Sequence, residues 1–250
     1  MKKSKKNGVL VKSKQNLEKL IHDSGINIVN NNLEDLLNNL TILHPKSYTL
    51  EDTLILCLDC SSSMQEVLDS KSSKIDIACD AMRHQIVPNL DNIPFSLIIF
   101  PFNTESGIDF RRKQKAGFLF QNMNSRTEIN KIPNPKASGN TPLLSALRLS
   151  VQFIGSKKGR IILITDGMPN DAPINEILNF VGMLDSIIID CVGIGSTEAL
   201  DYNPLFLQTL AEITGGIFVE AYNCEILIKT LKMLSPVERL KLSDGKCIAL

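Results

Sequence analysis

Short, mostly apolar runs at residues 54–58, 95–102, 161–164, 187–192 and 217–219 alternate with segments whose apolar residues return every three to four positions. This alternation restricts the fold more than any other feature. Runs that are apolar at consecutive positions make strands that need cover on both faces. Amphipathic helices between them supply that cover, and right-handed crossovers then give a doubly wound, mostly parallel sheet with helices on both faces. A shorter β-prone stretch at 117–120, reached through a polar turn at 103–107, is expected as an antiparallel strand on the sheet edge. The expected class is α/β.

Helix starts and stops support this reading. Ser73-Lys74-Ile75-Asp76 matches a capping box in its Asp-containing form. Ile75, Ala78, Cys79, Met82 and Ile86 follow at helical spacing, with Pro88 beyond them as a stop. Thr141-Pro142 reads as an N-cap and a first-turn proline ahead of the apolar face Leu143, Leu144, Leu147, Val151 and Ile154. Further helices are expected over 173–184, from Asn203-Pro204 to Thr214 with Gly215-Gly216 as the stop, and over 225–234.

A chain of 250 residues suits one sizeable domain with additions at its ends. Residues 1–50 are polar and rich in Asn and Lys, with two short amphipathic patterns (Leu17, Leu20, Ile21 and Leu33, Leu36, Leu37, Leu40). They are expected to form a helical N-terminal extension, followed by the main domain at 51–235 and a tail at 236–250.

Lys and Arg balance Asp and Glu at 27 each, so no overall charge draws the chain to nucleic acid or an anionic membrane. The basic run Lys2, Lys3, Lys5 and Lys6 reads as a solvated tail. No apolar stretch approaches the roughly 18 residues of a membrane span. The charged start has no continuous apolar segment behind it, so no secretory signal is expected. Six scattered cysteines, mostly inside apolar runs, suit a reducing compartment, and a cytoplasmic location is expected. Cys57 and Cys60 form a C-x-x-C without a second pair for zinc and are read as structural. The last four residues, Cys247-Ile248-Ala249-Leu250, fit a prenylation pattern. Such a tail arises easily by chance, and one lipid with one nearby lysine gives only marginal attachment, so a chiefly cytosolic protein is expected.

In a doubly wound sheet, ligands bind beyond the carboxyl ends of the strands. Asp59 ends the first apolar run and Asp166 follows the run at 161–164, so both carboxylates are expected at one sheet edge. The loop Ser138-Gly139-Asn140-Thr141, before a helix start, belongs to the same edge. Asp59, Ser61 and Ser63 have the spacing D-x-S-x-S, which a tight turn leaving a strand gathers round one point. Carboxylate and hydroxyl oxygens are hard donors, suited to Mg²⁺ or Mn²⁺. Neutral hydroxyls leave an ion's charge poorly compensated, so an open position would attract an outside carboxylate. Each element also has a plainer reading: a Ser-rich turn, a Thr N-cap, an Asp-Gly turn. Their joint order and placement favour the metal site.

Three segments carry a resemblance: Asp59-Cys60-Ser61-Ser62-Ser63-Met64, Gly139-Asn140-Thr141-Pro142-Leu143 and Ile164-Thr165-Asp166-Gly167. With them the chain resembles a von Willebrand factor A (vWA) domain having a complete metal-ion-dependent adhesion site (MIDAS), a Rossmann-like fold. The likeness covers about residues 53–234, and the stretch 210–216 also resembles the family's penultimate helix and the entry to its last strand. Asn140 departs from the glycine found in many relatives but removes no ligand. The resemblance implies that Ser61 and Ser63 coordinate the metal directly. Thr141, Asp59 and Asp166 would act directly or through water, and the sixth position would go to an acidic side chain of a partner.

The function so implied is a metal-dependent protein-interaction module, expected as an intracellular adaptor. Intracellular relatives sometimes work beside AAA+ ATPases; this chain has no G-x-x-x-x-G-K-[ST], so any ATPase would be a separate partner. A Mg²⁺-dependent hydrolase is the competing class. No G-x-S-x-G surrounds Ser61 or Ser63, and His22, His44 and His84 are not obvious bases for the sheet edge, so the chain is not expected to be an enzyme. A third reading is a structural metal site covered by residues 1–50.

Overall fold

The computed structural model describes residues 53–69, 72–86, 94–102, 115–123, 135–195, 202–223 and 225–228. The expected N-terminal extension, the turn at 103–107 and the C-terminal tail with Cys247 lie outside the described residues, and the last expected helix is described only at 225–228.

Eight strands are described: β1 (Thr53–Asp59), β2 (Val67–Asp69), β3 (Ser72–Ser73), β4 (Phe95–Phe100), β5 (Gly117–Met123), β6 (Gly159–Thr165), β7 (Ile187–Ile194) and β8 (Phe218–Ala221). Six of them form one sheet in the order β5-β4-β1-β6-β7-β8, and β2 pairs with β3 in a small separate hairpin. All neighbours in the large sheet are parallel except β4 and β5. The expected antiparallel edge strand is therefore present, and it runs three residues past Phe120 through a register shift.

Helices α1 (Lys74–Ala81), α2 (Leu143–Ile154), α3 (Ile174–Val181) and α4 (Pro204–Thr214) cover the sheet. Alternation along β1 divides the core in two. Leu54, Leu56 and Leu58 face α1 through Ile75, Ala78 and Cys79, together with Ile226 and Leu227. Ile55 and Cys57 face the layer of α2, α3 and α4, which contributes Leu147, Ile177, Val181, Phe206 and Leu210.

Local signals explain most boundaries. Ser73 caps α1 by accepting from the Asp76 amide, and Asn203 caps α4 by accepting from the Phe206 amide. Gly215 ends α4 in the left-handed conformation (φ 76°). Gly216 serves differently: a Cβ there would lie 1.8 Å from the Ile189 carbonyl oxygen, so only glycine lets the chain pass β7.

Four expectations need correction. The first helix keeps α geometry only to Ala81 and continues as a π-helical turn over Met82–Ile86. Helix α3 stops at Val181 and not at 184, because Gly182 follows. The strand expected over 95–102 ends at Phe100, just before Pro101, whose missing N–H cannot extend the ladder. Thr141 is not the N-cap of α2: the helix starts at Leu143, and its first amides are capped by Asp171 from another loop. The β2–β3 hairpin was not expected, since strands of three and two residues show no alternation.

Cys57 and Cys60 are buried free thiols serving opposite core layers. Cys57 Sγ lies 3.2 Å from Ser150 Oγ of α2, and burial pushes its thiol up to about 12. The C-x-x-C is structural, as its sequence context implied.

Candidate metal centre

The chain runs from β1 to β4 on one side and from β6 to β7 on the other, so its winding direction reverses between the adjacent strands β1 and β6. A crevice opens at the carboxyl ends of such strands. Asp59 is the last residue of β1, and Asp166 directly follows β6.

The loop after β1 folds back on Asp59. The Ser61 amide donates to Asp59 Oδ1 at 2.8 Å, and the Thr165 hydroxyl holds Asp59 Oδ2 at 2.5 Å. Ser61 Oγ lies 3.1 Å from Ser63 Oγ, and Ser63 Oγ donates to Asp166 Oδ1 at 2.8 Å. Thr141 arrives from the third segment: a Cβ on Gly167 would stand 2.9 Å from Thr141 Oγ1 and 3.6 Å from Asp59 Oδ2. Glycine at 167 thus lets the strand end sit against the threonine hydroxyl. The structure brings the five sequence-predicted residues together.

Backbone and side-chain bonds tie the three loops. The Ser62 amide donates to the Gly139 carbonyl at 3.0 Å, and the Gly139 amide donates to Ser62 Oγ at 2.8 Å. The Ser138 amide donates to the Cys60 carbonyl at 2.7 Å, and the Asn170 amide to the Thr141 carbonyl at 3.2 Å. The left-handed turn of this loop falls on Gly139 (φ 83°) and not on Asn140, so asparagine at 140 is accommodated.

Both carboxylates are fully buried at 0% exposure, with Ser61 at 2% and Thr141 at 5%. Burial pushes the Asp59 carboxyl up to about 7, against the Thr165 hydrogen bond, and the Asp166 charge raises it further. Burial also raises Asp166, opposed chiefly by the Lys74 ammonium. Two buried carboxylates pushed toward their neutral forms beside three hydroxyls make a site whose charge deficit a hard cation would relieve. Among the described residues no cluster of three or more His, Cys, Asp and Glu could hold a metal, so this edge has no soft-donor cage. The donor set fits Mg²⁺ or Mn²⁺.

Sequence reasoning missed four residues here. Lys74 Nζ donates to Asp166 Oδ2 at 3.0 Å and to Glu66 Oε2 at 2.8 Å. Thr165 braces Asp59, and Asp171 caps α2. One signal for Lys74 was available: a lysine in the first turn of a helix opposes the helix dipole and so calls for a nearby anion.

Residues 54–168 match the family model of the von Willebrand factor type A domain, a span holding all five site residues. No curated protein matches the chain. Similar solved structures include an ArnB paralog from Sulfolobus acidocaldarius, at 19% identity over 74% of this chain and 45% of that one, with a TM-score of 0.52. Proximal thread matrix protein 1 of the mussel byssus aligns at 17% identity over 84% of this chain and 52% of its own, with a TM-score of 0.56. Another structure of that mussel protein has a zinc-occupied MIDAS motif, at 17% identity over 76% of this chain and 46% of its own, with a TM-score of 0.52. A von Willebrand factor type A protein from Catenulispora acidiphila aligns at 18% identity over 78% of this chain and 43% of that one, with a TM-score of 0.53. The chain spans about half the length of these structures. At such identities the likeness is one of fold: the chain has the mostly parallel, helix-flanked sheet of vWA proteins, with the family's sequence pattern over residues 54–168.

Proposed function

We propose that this chain is a vWA domain with a MIDAS. In this reading Asp59, Ser61, Ser63, Thr141 and Asp166 hold Mg²⁺ or Mn²⁺, and the metal binds an acidic side chain of a partner protein. The observation that carries it is the convergence of two buried carboxylates and three hydroxyls where the winding of the sheet reverses, Asp59, Ser61, Ser63 and Asp166 linked by hydrogen bonds and Thr141 Oγ1 packed against Gly167. Ser61 and Ser63 supply neutral donors, and Asp59 and Asp166 the compensating charge. Three neutral hydroxyls add no negative charge to the ion's coordination, so an open position would favour an outside carboxylate over a further neutral donor.

A binding module fits the site better than a hydrolase. His84, the histidine among the described residues, is exposed on the Met82–Ile86 turn, ten positions beyond Lys74 and so about 15 Å along the helix. No described helix is long and apolar enough to cross a membrane. The buried free thiols support a reducing, cytoplasmic setting as part of the proposal. Association with an ATPase assembly has no support in the comparisons and forms no part of it.

The test is thermal unfolding with and without Mg²⁺ or Mn²⁺. The ion should raise Tm by mass action, since only the folded chain assembles the site. Asp59→Ala should remove that rise; a shift equal to wild type would refute the ligand assignment. Binding of a partner captured with Mg²⁺ should be lost in EDTA and restored by added Mg²⁺.

A further inference from the structure

We propose that Lys74 sets the charge of this metal site, weakening its hold on the ion and strengthening the pull of the bound ion on an incoming carboxylate. The inference rests on the metal reading above. Lys74 is the first residue of α1 and only 3% exposed. Its place is costly on two counts, because an ammonium there opposes the helix dipole and has lost its water. Among its partners are two anions, Asp166 Oδ2 at 3.0 Å and Glu66 Oε2 at 2.8 Å. The Lys74 amide also donates to the Glu66 carbonyl at 2.9 Å, which ties the two residues together.

The two oxygens of Asp166 are divided. Oδ1 accepts from Ser63, inside the hydroxyl cluster, while Oδ2 accepts from the buried ammonium. Lys74 therefore reaches the carboxylate from outside the donor cluster and displaces none of the five candidate ligands. Its charge nevertheless acts at short range and, being buried, is poorly screened. The Glu66 side chain is 62% exposed, so water screens much of its opposing charge. Asp59 and Asp166 against Lys74 leave one net negative charge. A divalent ion then leaves one net positive charge, whereas without Lys74 the loaded site would be neutral. Lys74 is thus a specificity-determining residue: it trades ion affinity for attraction to acidic ligands.

Calorimetric titration of the full chain with Mn²⁺, and luminescence titration with Tb³⁺, tests this. Lys74→Met should bind Mn²⁺ at least about tenfold more tightly than wild type, and its gain should be larger for Tb³⁺, because the Coulomb interaction scales with ion charge. Lys74→Arg keeps the charge and should stay within about threefold of wild type. Equal or weaker Mn²⁺ binding by a folded Lys74→Met overturns the proposal. If wild type binds Mn²⁺ and Asp59→Ala does not, the metal reading survives that outcome. Wild type that binds no Mn²⁺ removes both. Should circular dichroism show Lys74→Met unfolded, Glu66→Gln decides. Freeing Lys74 of its exposed partner should weaken Mn²⁺ binding about two- to threefold, and unchanged or tighter binding overturns the proposal.

Discussion

Asp171 caps helix α2 across a gap in sequence, its Oδ1 accepting from the Leu144 amide at 3.1 Å and its Oδ2 from the Ser145 amide at 2.8 Å. The Ser145 hydroxyl adds a third bond to Oδ2 at 2.9 Å. The segment following β6, which begins with Asp166, is thereby joined to the helix start that carries Thr141.

Asp171→Ala should accordingly cost about 1–2 kcal/mol of stability through the lost cap. It should also weaken Mg²⁺ binding although no donor is removed, since the Thr141 and Asp166 segments are no longer held together. Urea denaturation and calorimetric titration measure the two effects separately. Loss of stability with unchanged Mg²⁺ affinity would show that the cap does not position Thr141.

The carboxyl of Asp59, at about 7 in the folded chain, is raised by burial above its ordinary value. Between the two values the folded chain binds more protons than the unfolded one. The stability Asp59 contributes in the metal-free protein is therefore full below the ordinary carboxylate range and lost as pH rises through about 7. Asp166 is raised in the same direction. Mg²⁺ needs the ionised carboxylates, so its affinity should climb through the same window and level off above it. Tm measured from pH 5 to about 8.5 with and without Mg²⁺ should give curves that diverge as pH rises. Asp59→Asn should flatten the metal-free curve in this window; an unchanged slope would remove Asp59 as its source.

A second buried ion pair offers a control away from the metal edge. Arg160 Nε donates to Asp190 Oδ2 at 2.6 Å, and Asp190 Oδ1 accepts from the Ile217 amide at 2.9 Å. Both side chains are buried, so Asp190→Ala takes the Nε bond from a buried guanidinium and the side-chain acceptor from the Ile217 amide. The expected cost is about 3–5 kcal/mol. Folded protein should still bind Mg²⁺ with near wild-type affinity, because Arg160 lies at the opening of β6, one residue into a strand whose far end leads to Asp166. Denaturant midpoints and titration of the folded fraction check both parts. A large loss of affinity would mean that this pair shapes the site.

The order of strands and helices was legible because each apolar run reports its own burial and each Ser73, Asn203 or Gly215 marks an end by its own chemistry. So were Asp59 and Asp166, since each stands where an apolar run stops at the carboxyl end of a strand. Ser61 and Ser63 followed from spacing within one turn. Thr141 was legible as a member of the edge, but its reading as the N-cap of α2 was not upheld, because the cap comes from Asp171, 27 residues on from Leu144.

The partners of Lys74 and Thr165 were beyond reach for the same reason: they lie 92 and 106 residues away, so the first-turn lysine could call for an anion without naming Asp166. Periodicity and capping signals are local and specify which face of an element is apolar and where it ends. Which charge meets which across the crevice depends on β1 and β6 becoming neighbours, and that adjacency exists only once the sheet has assembled.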